Sequence, residues 1–307
     1  MAPSAPAASA PPPAASASNP TASGSATPSA STPPPAAPPA ALTQALTAAS
    51  KAIEAGDAQA ADAHLATATA AAGSDAHFAY LVARMRAARF LPSGDFDRAA
   101  AAFTDAIPAL AKHPEFADEF WSHNAMMMIR EAQGDPASAL AENDQATLCA
   151  ARGTWDPDHR ATLALQKDRW HRAYLTRMLA ESRTGSAKKA LVAYAEAALD
   201  DYRTTGFEDS IVVLEAYFAA LDGRREAALA AARRVDPAKD DDVEDLYLVV
   251  VGLEAGGDPV RAEAVRRVMR QSKGVGIARP IMLRWLELDA KPSPDRGWTP
   301  WHCARHG

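Results

Sequence analysis

Gly94-Asp95-Phe96-Asp97-Arg98-Ala99, with Phe103, Ala106 and Ile107 following, is the stretch from which the architecture can be read. A glycine can close a helix in a left-handed conformation at no steric cost. The aspartate after it can cap the next helix by accepting a hydrogen bond from an orphan N–H. The alanine five residues beyond the glycine lies in that second helix, where a small side chain lets two helix axes approach. The same spacing recurs as Gly56–Ala61, Gly134–Ala139, Gly185–Ala190, Gly223–Ala228 and Gly257–Ala262. Asp57, Asp135 and Asp258 repeat the aspartate. Successive glycines are 38, 40, 51, 38 and 34 residues apart. Recurrence at such intervals is the mark of a helical repeat array.

Working outward, each glycine separates two segments of helical period. The first helices are predicted at 42–55, 76–91, 116–133, 159–184, 208–222 and 243–255, and the second at 58–72, 95–112, 136–151, 187–204, 224–234 and 259–272. Pro136 and Pro259 suit first-turn positions, where a missing N–H costs nothing. Pro108 should kink or end its helix. The longest interval contains Arg-Gly-Thr-Trp-Asp-Pro-Asp at 152–158, which marks an insertion or a lengthened helix. No segment alternates with a strand period, so no sheet is expected. The fold class is all-α: a right-handed α-solenoid of about six helix-turn-helix repeats over 41–276. A capping helix at 277–289 and a tail at 291–307 complete a C-terminal region, 277–307.

Residues 1–40 stand apart. They contain only Ala, Pro, Ser, Thr, Gly, Asn and Met, and the first charge in the chain is Lys51. Such a stretch cannot bury enough apolar surface to offset its backbone entropy, so a disordered tether is expected. The net charge of −6 argues against a nucleic-acid or membrane-surface role for the whole chain. No run of 18 apolar residues encodes a membrane span. The start of the sequence has neither a basic nor an apolar leader region, so a cytoplasmic protein is expected as written. Uncharged Ala/Pro/Ser tethers resemble those behind the lipid anchor of exported bacterial lipoproteins; a start codon upstream would make the protein periplasmic. High alanine, with arginine far exceeding lysine, suggests a GC-rich bacterial genome.

The array resembles the tetratricopeptide repeat family, whose unit is 34 residues long. There the glycine is followed by an aromatic two places on, alanine at five, an aromatic at nine and alanine at twelve. Phe96, Ala99, Phe103 and Ala106 fill those places, and Ala87 and Phe90 fill the small and aromatic places upstream. Gly185, Ala190, Tyr194 and Ala197 form the second match. Met127 and Met178 stand where the family has a small residue, and Asn143 and Arg266 where it has the second-helix aromatic.

The resemblance implies a concave groove lined by the first helices that holds a protein or peptide partner. Its register puts Arg84, Trp121, Asn124, Met128, Arg172, Tyr217 and Tyr247 into that groove, beside Ser210 and Glu244. Aromatics, Met and Arg are what interface centres favour. The expected function is thus a scaffold or adaptor and not an enzyme, with no cofactor.

Chemistry-bearing patterns are few. No phosphate loop, nucleophile elbow or His-Glu-x-x-His occurs, and the scattered histidines form no spacing that chemistry requires. Asp168 and His171 could share a helix face as a surface ion pair. The tail carries His302, Cys303 and His306 beside Trp298 and Trp301. A structural zinc site needs four ligands, so a docked aromatic tail is expected and no metal. The alternatives are a metal protein or enzyme using that tail, a Cys149–Cys303 disulfide in an oxidising compartment, and a nucleic-acid or sensor module using Arg261, Arg266, Arg267 and Arg270.

Overall fold

The computed structural model of the chain describes residues 37–205, 208–239 and 242–271, together with Ile281. The arm up to residue 36, the tail, and all of the expected capping helix but Ile281 lie outside the described residues. The helices are α1 (Ala40–Glu54), α2 (Ala58–Ala72), α3 (Ala76–Phe90), α4 (Phe96–Thr104), α5 (Ile107–Leu110), α6 (Asp118–Ala132), α7 (Pro136–Arg152), α8 (Pro157–Leu165), α9 (Arg172–Glu181), α10 (Gly185–Arg203), α11 (Glu208–Leu221), α12 (Arg225–Ala232), α13 (Val243–Gly256) and α14 (Pro259–Gln271). A 3-10 turn, Leu91–Ser93, follows α3, and a π-helical turn, Gln166–His171, joins α8 to α9. The described residues contain no strand, so the fold is all-α. None of these helices is long and apolar enough to cross a membrane.

The local signals act as their chemistry requires. All six recurrent glycines have positive φ, and Gly94, at φ +74°, sits in the left-handed region where a Cβ would be strained. Asp57, Asp95, Asp135 and Asp258 accept hydrogen bonds from the backbone N–H of Ala60, Arg98, Ser138 and Arg261 at 3.0–3.3 Å. Ala61, Ala99, Ala139, Ala228 and Ala262 are fully buried. Pro108 lies in the first turn of α5, after the chain has broken at Asp105–Ala106.

The Gly185 unit departs from this pattern. Gly185 is itself the first residue of α10, and no side chain caps that helix. The register shifts here, whereas α12, which also lacks a side-chain cap, keeps Ala228 fully buried. Ala190, Tyr194 and Ala197 are exposed, and α10 packs through Ala195, Leu199 and Tyr202.

Contacts run between elements close in sequence. α1 packs on α2 and α3, α6 on α4 and α7, α7 on α9, α9 on α10, α11 on α12 and α13, and α13 on α14. This neighbour-only pattern is consistent with a helical-repeat domain of general type. The main core runs from α3 to α14 and contains Leu91, Phe103, Met127, Met178, Tyr174 and Tyr217. The α1–α2 pair buries only Leu42 and Leu65 besides alanine. Arg177 of α9 is also inside, donating to Asp222 at 2.6 Å and to Glu181.

Candidate functional site

The site is built around the π turn. It interrupts what would be one helix from Pro157 to Glu181, and such turns recur at functional sites. Asn143 of α7 donates to the carbonyl of Lys167 inside the turn at 2.8 Å, with its amide side chain buried. Trp170 donates through Nε1 to the carbonyl of Ser210 at 3.1 Å, tying the turn to α11. The turn thereby presents Lys167 and His171, four residues apart, toward α6 and α13.

Three buried ionisable side chains from three elements meet there. Lys167 is 3% exposed; its Nζ lies 2.8 Å from His171 Nε2 and 3.7 Å from Met127 Sδ. Glu131 of α6 is fully buried and accepts from the Tyr174 hydroxyl. Glu244, in the first turn of α13, has Oε2 3.9 Å from His171 Nε2, and its buried Oε1 has no hydrogen-bond partner.

Burial dominates the protonation of all of them. It pushes Glu244 up to about 7, with Asp242 raising it further and Lys167 opposing. It pushes Glu131 well above the carboxylate range, reinforced by Glu244. It lowers Lys167 to about 8, against the pull of Glu244 and Glu131. His171 is held well below its ordinary value by burial and then by the Lys167 ammonium. Its neutral ring therefore accepts from Lys167 at Nε2, and Nδ1–H points at the Gln166 carbonyl, 3.4 Å away.

A half-open cavity of about 280 Å³ lies over this cluster. Trp121, Asn124 and Met128 of α6 form one wall, and Leu163, Gln166, Lys167, Trp170 and His171 a second. Ser210 of α11 and Asp242, Glu244 and Asp245 at the start of α13 complete it. The lining thus sets three carboxyl groups against one ammonium. A larger cavity of about 370 Å³ lies against α10, α11 and α12. Its Arg203 is already paired with Asp200 and Glu215, and none of its lining atoms is a buried polar group without a partner.

The residues expected in the groove separate into two groups. Trp121, Asn124 and Met128 line the cavity together, joined by Ser210 and Glu244. Arg84 is half-buried on α3, away from it. Arg172 pairs with Asp144 at 2.8 Å and Asp168 at 3.2 Å. Tyr217 and Tyr247 are fully buried, and Tyr217 packs edge-on against Tyr174 with centroids 5.3 Å apart. Asp168 is exposed and bonded to Arg172, whereas His171 turns inward, so these two do not form the expected surface pair. Of the α14 arginines, Arg261 bonds the carbonyls of Arg233 and Val235, Arg266 bonds Glu254, and Arg270 bonds Glu263.

Sequence reasoning missed Lys167, Glu131 and a second cluster on α6 and α7. In the latter, Glu119 and His123 share one face of α6, and Cys149 of α7 lies against them, with ligand atoms all within 4.8 Å of one another. All three are buried, and Cys149 is a free thiol that burial, then Glu119, pushes up to about 12. His123 Nδ1 lies 2.7 Å from Glu142 Oε2. The four-residue step from Glu119 to His123 was visible in the sequence; the approach of Cys149 was not. The tail's Trp298, His302, Cys303 and His306 lie outside the described residues.

No protein-family model matches the chain, and neither a curated protein nor a solved structure does.

Proposed function

We propose that the protein is a binding module of tetratricopeptide-like repeats whose cavity between α6, the π turn and α13 receives a cationic group, an ammonium or guanidinium, from a peptide partner. The observation that carries this reading is Glu244 Oε1, a buried acceptor with no partner at the edge of an open cavity. A buried polar atom left unsatisfied costs about 1–3 kcal/mol, which a donor from a ligand would recover. Trp121 and Trp170 supply aromatic walls, and aromatic faces attract cations. Lys167 offsets only one charge of a lining that carries three carboxyl groups, Asp242, Glu244 and Asp245. The role is binding without turnover.

Selection from a random peptide library on the full chain tests the proposal. The expected result is a consensus containing Arg or Lys, with affinity falling tenfold or more in Glu244→Gln and in Trp121→Ala, both still helical by circular dichroism. A consensus without a basic residue, or unchanged affinity in both folded variants, would overturn it.

A further inference from the structure

We propose that Glu119, His123 and Cys149 form a binding site for a zinc-class divalent cation, separate from the cation-accepting cavity. The three side chains offer a carboxylate, an imidazole and a thiol, the donor types that zinc takes in proteins. They come from two helices packed side by side, α6 and α7, and are 6%, 9% and 4% exposed. Neighbouring ligand atoms in a tetrahedral zinc site are about 3.5 Å apart. Side-chain rotation must therefore bring the three atoms about 1 Å closer than the 4.8 Å that now bounds them.

The surroundings support the same assignment. Glu142 holds His123 through Nδ1, which leaves Nε2 as the ring's ligand atom. A carboxylate behind a histidine is the usual outer partner of a metal-bound imidazole, because it sets the ring's tautomer and orientation. Phe120, Ala146, Ala150 and Leu163 form an apolar shell around Cys149. Such a shell strengthens attraction between a cation and its anionic ligands. Three protein ligands leave the fourth position of a tetrahedral ion to water or a ligand.

One group opposes the ion. Arg152 donates to Glu119 and lies 3.5 Å from Cys149 Sγ, so its guanidinium occupies the place of a positive charge. It is the last residue of α7 and its side chain is 51% exposed. It can swing into water when a doubly charged ion arrives. On binding, the Cys149 thiol loses its proton to solvent and becomes a thiolate ligand, with no redox step. Arg152 therefore acts as a competitor, and its removal should strengthen metal binding. A purely structural cluster would not show that response.

The experiment uses the full chain, stripped with a chelator and titrated with Co²⁺ and then Zn²⁺ alone. A Cys303→Ser variant separates this site from the tail. The expected result is thiolate-to-cobalt charge-transfer absorption in the near ultraviolet, displaced by Zn²⁺ and retained in Cys303→Ser. It should be lost in Cys149→Ser and, independently, in His123→Gln. Arg152→Ala should bind Zn²⁺ about tenfold or more tightly, about 1.4 kcal/mol. Absorption that survives Cys149→Ser, or that disappears in Cys303→Ser, would overturn the assignment. So would the absence of any charge-transfer band in a folded wild-type chain. Because peptide selection depends on Glu244 and Trp121, either proposal can fail without the other.

Discussion

Replacing Glu244 by Gln should remove a dependence of stability on pH that burial imposes on the wild type. Glu244 is 7% exposed, and its carboxyl is raised from 4.5 to about 7, first by burial and then by Asp242. Between those values the folded chain holds a proton that the unfolded chain has released. Stability from this group is therefore full below pH 4.5, falls as pH rises, and is lost above about 7. The gap of about 2.5 pH units, at 1.36 kcal/mol each, sets a ceiling of about 3 kcal/mol, and a comparison of pH 5 with pH 8 should capture roughly 2–3 kcal/mol. Neighbouring groups contribute in both proteins. Glu131, also raised, acts in the same direction; His171, lowered, acts in the opposite direction below its ordinary value. Subtracting the variant from the wild type cancels the part of their effect that does not run through Glu244; its coupling to Glu131 and Lys167 stays in the difference. Urea unfolding of both proteins at the two pH values gives the difference directly. The wild type should lose roughly 2–3 kcal/mol relative to Glu244→Gln on going from pH 5 to pH 8. A difference that stays within about 0.5 kcal/mol, or that moves in favour of the wild type, would refute the placement of an ionisable carboxyl in that buried cluster.

Phe103 is fully buried between packed helices, so Phe103→Ala should cost about 3–5 kcal/mol in chemical denaturation. The alanine-filled α1–α2 pair should exchange its amide hydrogens before α4 does, and the reverse order would refute that ranking. At Gly252 an added Cβ would meet the Ala216 and Ala232 methyl groups at 2.9 and 3.1 Å, so Gly252→Ala should lower stability by about 1–3 kcal/mol despite its better helix propensity. Arg177→Met leaves Glu181 and Asp222 without their buried cation; with both carboxylates partly reaching solvent, the expected loss is about 2–3 kcal/mol by thermal or urea unfolding.

Helix ends and helix period were legible in the sequence because they depend on neighbours along the chain. Gly94 needs only its own missing Cβ to turn the backbone, and Asp95 needs only the N–H three residues on. Five of the six spaced alanines are fully buried, four of them behind a capping aspartate and Ala228 without one. After Gly185, which is itself the first residue of α10, the same spacing marks the exposed face of that helix. Local pattern also could not separate groove from core on α11 and α13. Almost every residue of α13 from Val243 to Leu253 is buried, and a helix apolar all round gives no stripe by which to orient it. Tyr217 and Tyr247 are therefore in the core, whereas Trp121, on the more polar α6, lines the cavity.

The chemistry of the candidate sites belongs to the tertiary structure alone. Lys167, Glu131 and Glu244 look like solvated charges in a linear chain, as they are in most helices. They become a coupled cluster only because the π turn directs Lys167 and His171 between α6 and α13. Cys149 likewise reaches Glu119 and His123 only through the packing of α7 on α6. The sequence by itself determined which segments are helical and, where a glycine and an aspartate mark the junction, where one helix ends and the next begins, since backbone caps and side-chain period act within a few residues. It did not show where the expected helix 95–112 breaks, or that the expected helix 159–184 is interrupted by the π turn. Only the fold decided which polar side chains lose water and face one another, since desolvation and charge coupling depend on what distant segments bring alongside.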